Sequence, residues 1–187
     1  MRVIAGKARS TKLLTPPDSK TIRPTSDYIR ESLFNVIQQD VAGAVFLDLF
    51  AGTGAVGIEA LSRGASSAVF IDNSQKAIEL IRKNLDKTGL TESATVIKGS
   101  IPEALSFSNK KFDIIFLDPP YFKDNLVDKT LNEILTQGIL ESEGIIALES
   151  PKGEQISLPD KLEIWKEKIY GNSKLVFLIK TEEKEDD

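Results

Sequence analysis

Short apolar runs recur along the chain from residue 45 onward, with polar segments between them. The runs have the length and the Val, Ile, Leu and Phe content of strands that are covered on both faces. They comprise residues 45–50, 68–72, 95–98, 112–117 and 145–149. The intervening segments place apolar residues at helical spacing. These helices are predicted over residues 52–63, 74–87, 102–105 and 126–136. Strands that alternate with helices predict right-handed crossovers and a parallel sheet.

Both ends of the chain depart from this pattern. Residues 162–169 and 174–180 alternate apolar and polar positions and predict an antiparallel pair of strands. Residues 1–14 predict a short β-hairpin, and a helix is predicted from residue 26 to about residue 39. The last strand pair therefore adds mixed edge strands to an otherwise parallel sheet.

We expect one α/β domain with a Rossmann-like architecture. Its sheet is predicted to have seven strands, mixed but mostly parallel, with helices on both faces and an N-terminal β-hairpin extension. The single domain over residues 1–187 divides into a basic extension (1–24), a core (25–180) and an acidic tail (181–187). A chain of 187 residues is long enough for one full hydrophobic core.

The composition excludes several classes of catalytic and metal-binding site. The chain has no Cys and no His, so thiolate nucleophiles, Ser–His pairs and Cys/His zinc sites are excluded, and we expect no metal. The absence of Cys favours a reducing cytoplasm. Residues 1–20 contain no apolar segment typical of a secretory signal, and no run approaches the length of a membrane span.

Positive charge is concentrated at the N-terminus. The whole chain has a net charge of −4, whereas residues 1–30 contain seven basic and two acidic residues. The basic residues are Arg2, Lys7, Arg9, Lys12, Lys20, Arg23 and Arg30. A basic arm on an acidic body is a local electrostatic feature that favours nucleic-acid binding, although a charged and soluble flap has the same composition.

A glycine-rich loop follows the first predicted strand. Gly52, Gly54 and Gly57 satisfy the pattern G-x-G-x-x-G where a strand passes into a helix. The pattern alone does not choose among adenosine-bearing cofactors. Asp48, at the end of the strand, would repel a pyrophosphate but suits a ligand with an amino group and a sulfonium. S-adenosylmethionine therefore fits better than a nicotinamide dinucleotide.

The ends of the next two strands supply further candidates for an adenosine site. Asp72 closes the second strand and could accept both ribose hydroxyls. Asn73 could cap the next helix or contact the adenine edge. Ser100 and Ile101 follow the third strand, where Ser100 could bond the adenine ring and Ile101 could pack on its face.

The fourth strand runs into Asp118-Pro119-Pro120-Tyr121. Two prolines end the strand and make a stiff corner at its carboxyl end, where open α/β sheets place ligands. Asp118 and the carbonyl of Pro119 could accept both hydrogens of an exocyclic amine and so free its lone pair for attack. Tyr121 could stack on an unstacked base.

These motifs together resemble class I S-adenosylmethionine-dependent methyltransferases, through Asp48-x-Phe50-x-Gly52-x-Gly54, Asp72 and the Asp118–Tyr121 corner. The resemblance adds Phe50 to the cofactor site. Three N-terminal pieces narrow it to bacterial 16S ribosomal RNA guanine-N2 methyltransferases. They are Arg2-Val3-Ile4-Ala5-Gly6, Arg23-Pro24-Thr25 and Arg30-Glu31-x-Leu33-Phe34-Asn35.

This resemblance covers about the whole chain and implies methyl transfer to the exocyclic N2 of one guanine in 16S rRNA. The implied partner is a small ribosomal subunit or its assembly intermediate, and we expect a monomer. The implied RNA contacts come from the basic N-terminal residues Arg2, Lys7, Arg9, Lys12, Arg23 and Arg30. The chain departs from the family at Ser100, where many relatives have Asp, and in its acidic tail.

Other functions stay open from the residues alone. The same fold could methylate adenine N6 or a protein glutamine, since the Asp118–Tyr121 corner does not separate these acceptors. A non-catalytic RNA-binding assembly factor could retain the fold, but the complete glycine loop and corner argue against it. A nicotinamide oxidoreductase is disfavoured by Asp48.

Overall fold

A computed structural model describes residues 1–16, 27–107, 110–120 and 125–181 of the chain. Among these residues no helix has both the length and the apolar character needed to cross a membrane. The predicted start of the first helix at residue 26 and the acidic tail from residue 182 onward lie outside the described residues.

The described elements follow the predicted alternation. The helices are α1 (Asp27–Val36), α2 (Ala55–Ser62), α3 (Gln75–Thr88) and α4 (Leu126–Thr136). The strands are β1 (Val45–Leu49), β2 (Ser67–Asp72), β3 (Ala94–Lys98), β4 (Phe112–Leu117), β5 (Leu140–Pro151), β6 (Leu162–Tyr170) and β7 (Ser173–Lys180). Two 3₁₀ turns, Thr91–Ser93 and Glu103–Phe107, complete the set.

One seven-stranded sheet has the order β3-β2-β1-β4-β5-β7-β6. The first five strands in this order pair in parallel, and β7 pairs antiparallel with both β5 and β6. The predicted mixed, mostly parallel sheet is therefore confirmed. The chain order reverses between β1 and β4, which makes the crevice at their carboxyl ends the expected ligand site of such a sheet.

The two faces of the sheet bury separate clusters, because successive side chains of a strand point to opposite faces. Phe46, Phe70 and Phe116 pack with residues of α1, α2 and α3 on one face. Leu47 and Ile115 pack with residues of α4 on the other. Helices on both faces, as predicted, explain why the central strands are apolar throughout.

Several boundaries differ from the prediction. Helix α1 ends at Val36 rather than near residue 39, and α2 begins at Ala55 rather than at Gly52. The glycines before α2 have positive φ angles, which helical residues do not adopt. Strand β5 starts at Leu140, before its apolar run, because Leu140 pairs with Phe112 across an irregularity in the β4–β5 register.

The N-terminal hairpin is confirmed as a compact turn with one antiparallel bridge, between Arg2 and Lys12. The Val3 N–H donates to the Thr11 carbonyl (3.0 Å), and the Ser10 N–H donates to the Val3 carbonyl (2.9 Å). We call residues 1–14 the basic arm.

The basic arm lies against the last turn of α2. The Lys7 N–H donates to the Ser62 carbonyl (2.8 Å). Gly6 has a φ of 81°, and a Cβ built on it would overlap the backbone of Ser62 and Arg63. Glycine at position 6 therefore permits both the turn and the close approach of the arm to α2.

Replacement of Gly6 by Ala should detach the arm, and Gly43→Ala supplies the control. Gly43 has a nearly identical φ of 82° and open space around the position of a Cβ. Both variants should lose about 1 kcal/mol of unfolding free energy through the left-handed conformation. Gly6→Ala should lose a further ~1–3 kcal/mol through the clash, and expose the arm to limited proteolysis. Equal losses in urea unfolding, with equal protease resistance, would contradict this packing.

Candidate active site

Carboxylates from three adjacent strands meet at the carboxyl edge of the sheet. Asp48 lies in β1, Asp72 ends β2, and Asp118 directly follows β4. Strand β1 pairs with β2 on one side and with β4 on the other. The crevice where the strand order reverses is thus lined by carboxylates, and its charge disfavours anions and favours cations.

The glycine loop makes a tight turn between β1 and α2. Phe50, Gly52 and Gly54 all have φ between 54° and 74°, and for Phe50 this is a strained conformation. The Gly54 N–H donates to the Ala51 carbonyl (2.7 Å). Gly54 caps α2 without a side-chain hydrogen bond. The loop backbone can therefore be approached closely by a ligand.

Asp48 ties β1 to the first turn of α2. Its side chain is buried, and its Oδ2 accepts a hydrogen bond from the Gly57 N–H (2.9 Å). Burial raises the pKa of the Asp48 carboxyl well above its ordinary value, against the opposing hydrogen bond from Gly57. The charges of Asp118 and Asp72 raise this pKa further. Both carboxylates are therefore close enough to affect the ionisation of Asp48.

Gly57, the third glycine of the motif, serves packing. A Cβ at this position would overlap the ring of Phe70 in β2. The glycine therefore lets α2 lie close against the sheet, and only the first two glycines of the motif shape the loop.

Asp72 joins the glycine loop to α3. Its Oδ2 accepts from the Gly52 N–H (2.9 Å), and its Oδ1 accepts from the Ser74 N–H (2.8 Å). Ser74 is the N-cap of α3 and accepts from the Ala77 N–H, so the suggestion that Asn73 caps this helix is wrong. Asn73 is exposed. A carboxylate oxygen can accept more than one hydrogen bond, so Asp72 retains capacity for ribose hydroxyls.

The predicted adenine residues lie beside Asp72. The Gly99 N–H donates to the Asp72 carbonyl (3.0 Å), which places the turn after β3 at the end of β2. Ser100 is exposed, and Ile101 is buried apart from 9% of its surface. A polar hydroxyl and an apolar surface thus flank the Asp72 side of the crevice.

The corner after β4 rises from the middle of the sheet. Leu117, the last residue of β4, pairs with Leu49 of β1 and Leu148 of β5. Asp118 is half-buried, Pro119 is buried and Pro120 is exposed. Tyr121 lies outside the described residues, so its predicted stacking role stays a prediction.

The predicted RNA contacts divide into two groups. Arg2, Lys7, Arg9 and Lys12 are exposed on the basic arm. Arg30 is fully buried, and its Nη2 donates to the Arg2 carbonyl (2.8 Å) and to Asp27 Oδ1 (2.8 Å). The prediction that Arg30 contacts phosphates is wrong for this conformation, because the guanidinium is used inside the fold. Arg23 lies outside the described residues.

Buried polar residues that hold the arm were missed by the sequence analysis. The carboxylate of Glu59, which is fully buried, accepts from the Ile4 N–H (2.8 Å), the Ala5 N–H (2.9 Å) and Arg63 Nε (2.8 Å). The sequence contained a signal, because Glu59 is the only charged residue in helix α2, all of whose residues are buried. A buried carboxylate requires such partners.

Two further polar residues act with Glu59. The Ser62 hydroxyl accepts from the Ala8 N–H (3.0 Å) and donates to the Ala5 carbonyl (2.6 Å). Asn84, fully buried in α3, bonds the backbone of Leu14 at the end of the arm. Asn84 follows Ile81 by three residues on the apolar face of α3, where a polar residue stands out in the sequence.

The crevice fits a positively charged adenosine cofactor better than a dinucleotide. Burial, with smaller contributions from the charges of Asp118 and Asp72, raises the pKa of Asp48, and a nearby cation would favour the ionised form of such a cluster. An open loop backbone and the Asp72 carboxylate suit an adenosine group. Asp48, Asp72, Gly52 and Gly54 are the residues that would hold it.

The chain is similar in sequence to a known protein family and to proteins of known name. The family model described as Conserved hypothetical protein 95 matches residues 1–179. Ribosomal RNA small subunit methyltransferase D of Escherichia coli K12 is 36% identical over 172 residues, which are 91% of this chain and 85% of that protein.

Solved structures agree in fold over the whole chain. The structure of yhhF from Escherichia coli has a TM-score of 0.83 at 32% identity and covers 96% of this chain and 97% of its own. A hypothetical protein of Thermus thermophilus has a TM-score of 0.80 at 31% identity, with coverages of 97% and 99%. The family model begins at residue 1 and so includes the basic arm as well as the sheet.

Replacement of Asp48 by Asn should stabilise the protein in a pH-dependent way. The folded-state pKa of Asp48 is raised, so this carboxyl destabilises the fold increasingly as the pH rises above the unfolded-state pKa, and the loss is complete above the folded-state pKa. The amide oxygen of Asn can still accept from Gly57, while the buried negative charge is lost. We expect a higher free energy of unfolding above the folded-state pKa, and a gain that fades as the pH falls toward the ordinary aspartate value.

Urea unfolding at several pH values from about pH 4 to about pH 8 measures this gain. Asp86→Asn, a matched change at an exposed position of α3, controls for general charge effects. The same stability difference at every pH would show that Asp48 does not carry a raised pKa.

Proposed function

The chain belongs to the Conserved hypothetical protein 95 family, together with ribosomal RNA small subunit methyltransferase D, and on that premise we propose that it methylates 16S rRNA. The proposed reaction transfers a methyl group from S-adenosylmethionine to the exocyclic N2 of a guanine. The fold and the family make the protein a class I methyltransferase. The choice of guanine N2 rests on the family resemblance.

The observation that carries the proposal is the position of the Asp118-Pro119-Pro120 corner. It leaves the central strand β4 beside β1, whose own end carries Asp48 and the glycine loop. Leu49 of β1 pairs with Leu117 of β4, so Asp48 and Asp118 each lie one residue from the same pair on two neighbouring strands. An acceptor group at the corner and a methyl donor in the loop would therefore meet at the same crevice.

The residues of the loop would bind the cofactor through its charge and its ribose. S-adenosylmethionine supplies an electrophilic methyl group on a positively charged sulfur. Asp48 and Asp118 provide negative potential that favours this charge, and Asp72 can accept ribose hydroxyls. Ser100 and Ile101 flank the adenine side. Phe50, strained at the exit of β1, keeps the loop turned toward the crevice.

The corner residues would prepare the amine for attack. The lone pair of an exocyclic guanine amine is delocalised into the ring, which makes the nitrogen a poor nucleophile. The Asp118 carboxylate and the Pro119 carbonyl can each accept one amine hydrogen and favour a pyramidal nitrogen. The prolines hold these acceptors without reorganisation. Asp118 can also take up the proton that the nitrogen loses.

The basic arm would bind the RNA backbone. Arg2, Lys7, Arg9 and Lys12 are exposed on a segment whose backbone is held by Glu59 and Ser62. An anchored arm loses little conformational entropy when it binds phosphates. The RNA substrate is supported by this charge distribution and by the name of the relative from Escherichia coli.

Replacement of Asp118 by Asn should abolish transfer but preserve cofactor binding. An amide presents one acceptor and one donor group, so it orients the amine less well. We expect the turnover number to fall by about 10²–10³-fold, with the dissociation constant for S-adenosylhomocysteine changed by less than about threefold. The assay uses radiolabelled S-adenosylmethionine and small subunits from a strain that lacks the corresponding methyltransferase.

Asp160→Asn, at an exposed position before β6, is the matched control and should keep full activity. Nucleoside mass analysis of the product identifies the acceptor atom. Full activity of Asp118→Asn would refute the proposed role of the corner, and N6-methyladenosine would refute the choice of guanine.

Neutralisation of the arm should weaken RNA binding in a salt-dependent way. The double change Lys7→Gln and Arg9→Gln removes two exposed positive charges. The slope of log affinity against log salt should become shallower by about 0.7–0.9 for each charge that contacts a phosphate. The control is the double variant Lys161→Gln and Lys168→Gln, which removes the same amount of positive charge. Both positions are exposed, in or beside β6, and far from the arm in the sequence. Equal salt slopes for the two double variants would refute a role for the arm.

A further inference from the structure

Asn84 contacts two segments that the proposed function assigns to different ligands. It lies in the penultimate turn of α3, and its side chain is fully buried. On one side it bonds the last residue of the basic arm, and on the other it bonds the glycine loop. Asn84 itself is not part of the sequence motifs of the site.

The arm side of this contact is a pair of hydrogen bonds to one residue. The Leu14 N–H donates to Asn84 Oδ1 (2.7 Å), and Asn84 Nδ2 donates to the Leu14 carbonyl (3.1 Å). The Leu14 side chain is 40% exposed, so its own packing holds this end of the arm only weakly. The two hydrogen bonds to Asn84 therefore fix the position of the last residue of the arm.

The loop side is one hydrogen bond from the same amide nitrogen. Asn84 Nδ2 donates to the Thr53 carbonyl (2.9 Å), between the first two glycines of the loop. Thr53 is buried, and the next residue, Gly54, would bring a Cβ within 3.2 Å of the Ile81 side chain of α3. The loop thus rests on α3, and Asn84 fixes the direction of its Thr53 carbonyl.

We propose that Asn84 is a positioning residue that couples the basic arm to the cofactor loop, so that bound RNA and bound cofactor each strengthen the binding of the other. The inference rests on the proposed function, because it takes the arm as the RNA site and the loop as the cofactor site. The amide is suited to this task since one nitrogen with two hydrogens can serve both carbonyls.

The physical basis of the coupling is shared order. A ligand that immobilises the glycine loop also holds the Thr53 carbonyl, and through Asn84 it restrains Leu14 and the end of the arm. The second ligand then meets an arm that has already lost part of its conformational freedom. By linkage, the effect must be the same in both directions for equilibrium binding.

The test measures the affinity for RNA with and without cofactor. The probes are S-adenosylhomocysteine, which cannot react, and small ribosomal subunits from a strain that lacks the corresponding methyltransferase. Saturating S-adenosylhomocysteine should tighten subunit binding by the unaltered protein about fivefold or more. Asn84→Asp keeps the size of the side chain and one acceptor but removes both donated hydrogens. In this variant the ratio of the subunit affinities with and without S-adenosylhomocysteine should fall to about one.

A second variant acts from the arm and does not disturb the core. Leu14→Pro removes the N–H that donates to Asn84 Oδ1, at a position that is partly exposed. It should also reduce the ratio, while S-adenosylhomocysteine alone binds as it does to the unaltered protein. Asn132→Asp, in which an exposed asparagine of α4 changes in the same way, should keep the full ratio.

The outcomes separate this inference from the proposed function. If the unaltered protein binds both ligands with a ratio near one, or if both variants retain the full ratio, the coupling through Asn84 is refuted and the proposed function stands. If the unaltered protein binds neither ligand, both are refuted. Loss of the ratio in Asn84→Asp and Leu14→Pro, with the ratio kept in Asn132→Asp, supports the coupling.

Discussion

The hydrogen bond from the Gly57 N–H to the buried carboxylate of Asp48 determines where α2 lies against β1. The glycine loop comes directly before this contact, and Glu59 and Ser62 come directly after it on the same helix. The cofactor side and the arm side of the protein therefore share one short element of eight residues. Its position is set by a carboxylate that also contributes to the negative potential of the crevice.

Polar groups inside the fold hold the arm in place. Apolar contacts alone are not directional and would allow the arm to shift along the helix. Glu59 accepts from two backbone N–H groups of the arm, and Arg30 donates to the Arg2 carbonyl. Burial lowers the pKa of the Arg30 guanidinium, while the charges of Asp27 and Glu59 oppose that effect. An arginine remains protonated in proteins, so Arg30 and Glu59 offset part of the cost of burying each other. The ion pair between Arg30 Nη2 and Asp27 Oδ1 (2.8 Å) offsets a further part of that cost.

Sequence reasoning succeeded where a local pattern has a single physical meaning. Apolar runs such as Phe112–Leu117 predicted buried strands with few errors, and the helix predicted over residues 74–87 is confirmed as α3. It failed where one residue type serves two environments. Arg30 resembles the other basic residues in the sequence, and only its place beneath the arm shows that it is structural. Asn84 was missed because its partners, Thr53 and Leu14, are 31 and 70 residues away. Contacts of that separation cannot be read from periodicity.

The charge distribution explains how one small domain can attract RNA and yet hold carboxylates at its centre. The crevice contains Asp48, Asp72 and Asp118, which would repel phosphates, whereas the arm exposes Arg2, Lys7, Arg9 and Lys12. On the proposed function, phosphates would bind at the arm while a neutral base, unstacked from its neighbours, reaches the carboxylates. A crevice that favours a neutral base and a cationic cofactor over a phosphate would then select the reacting group by its electrostatics.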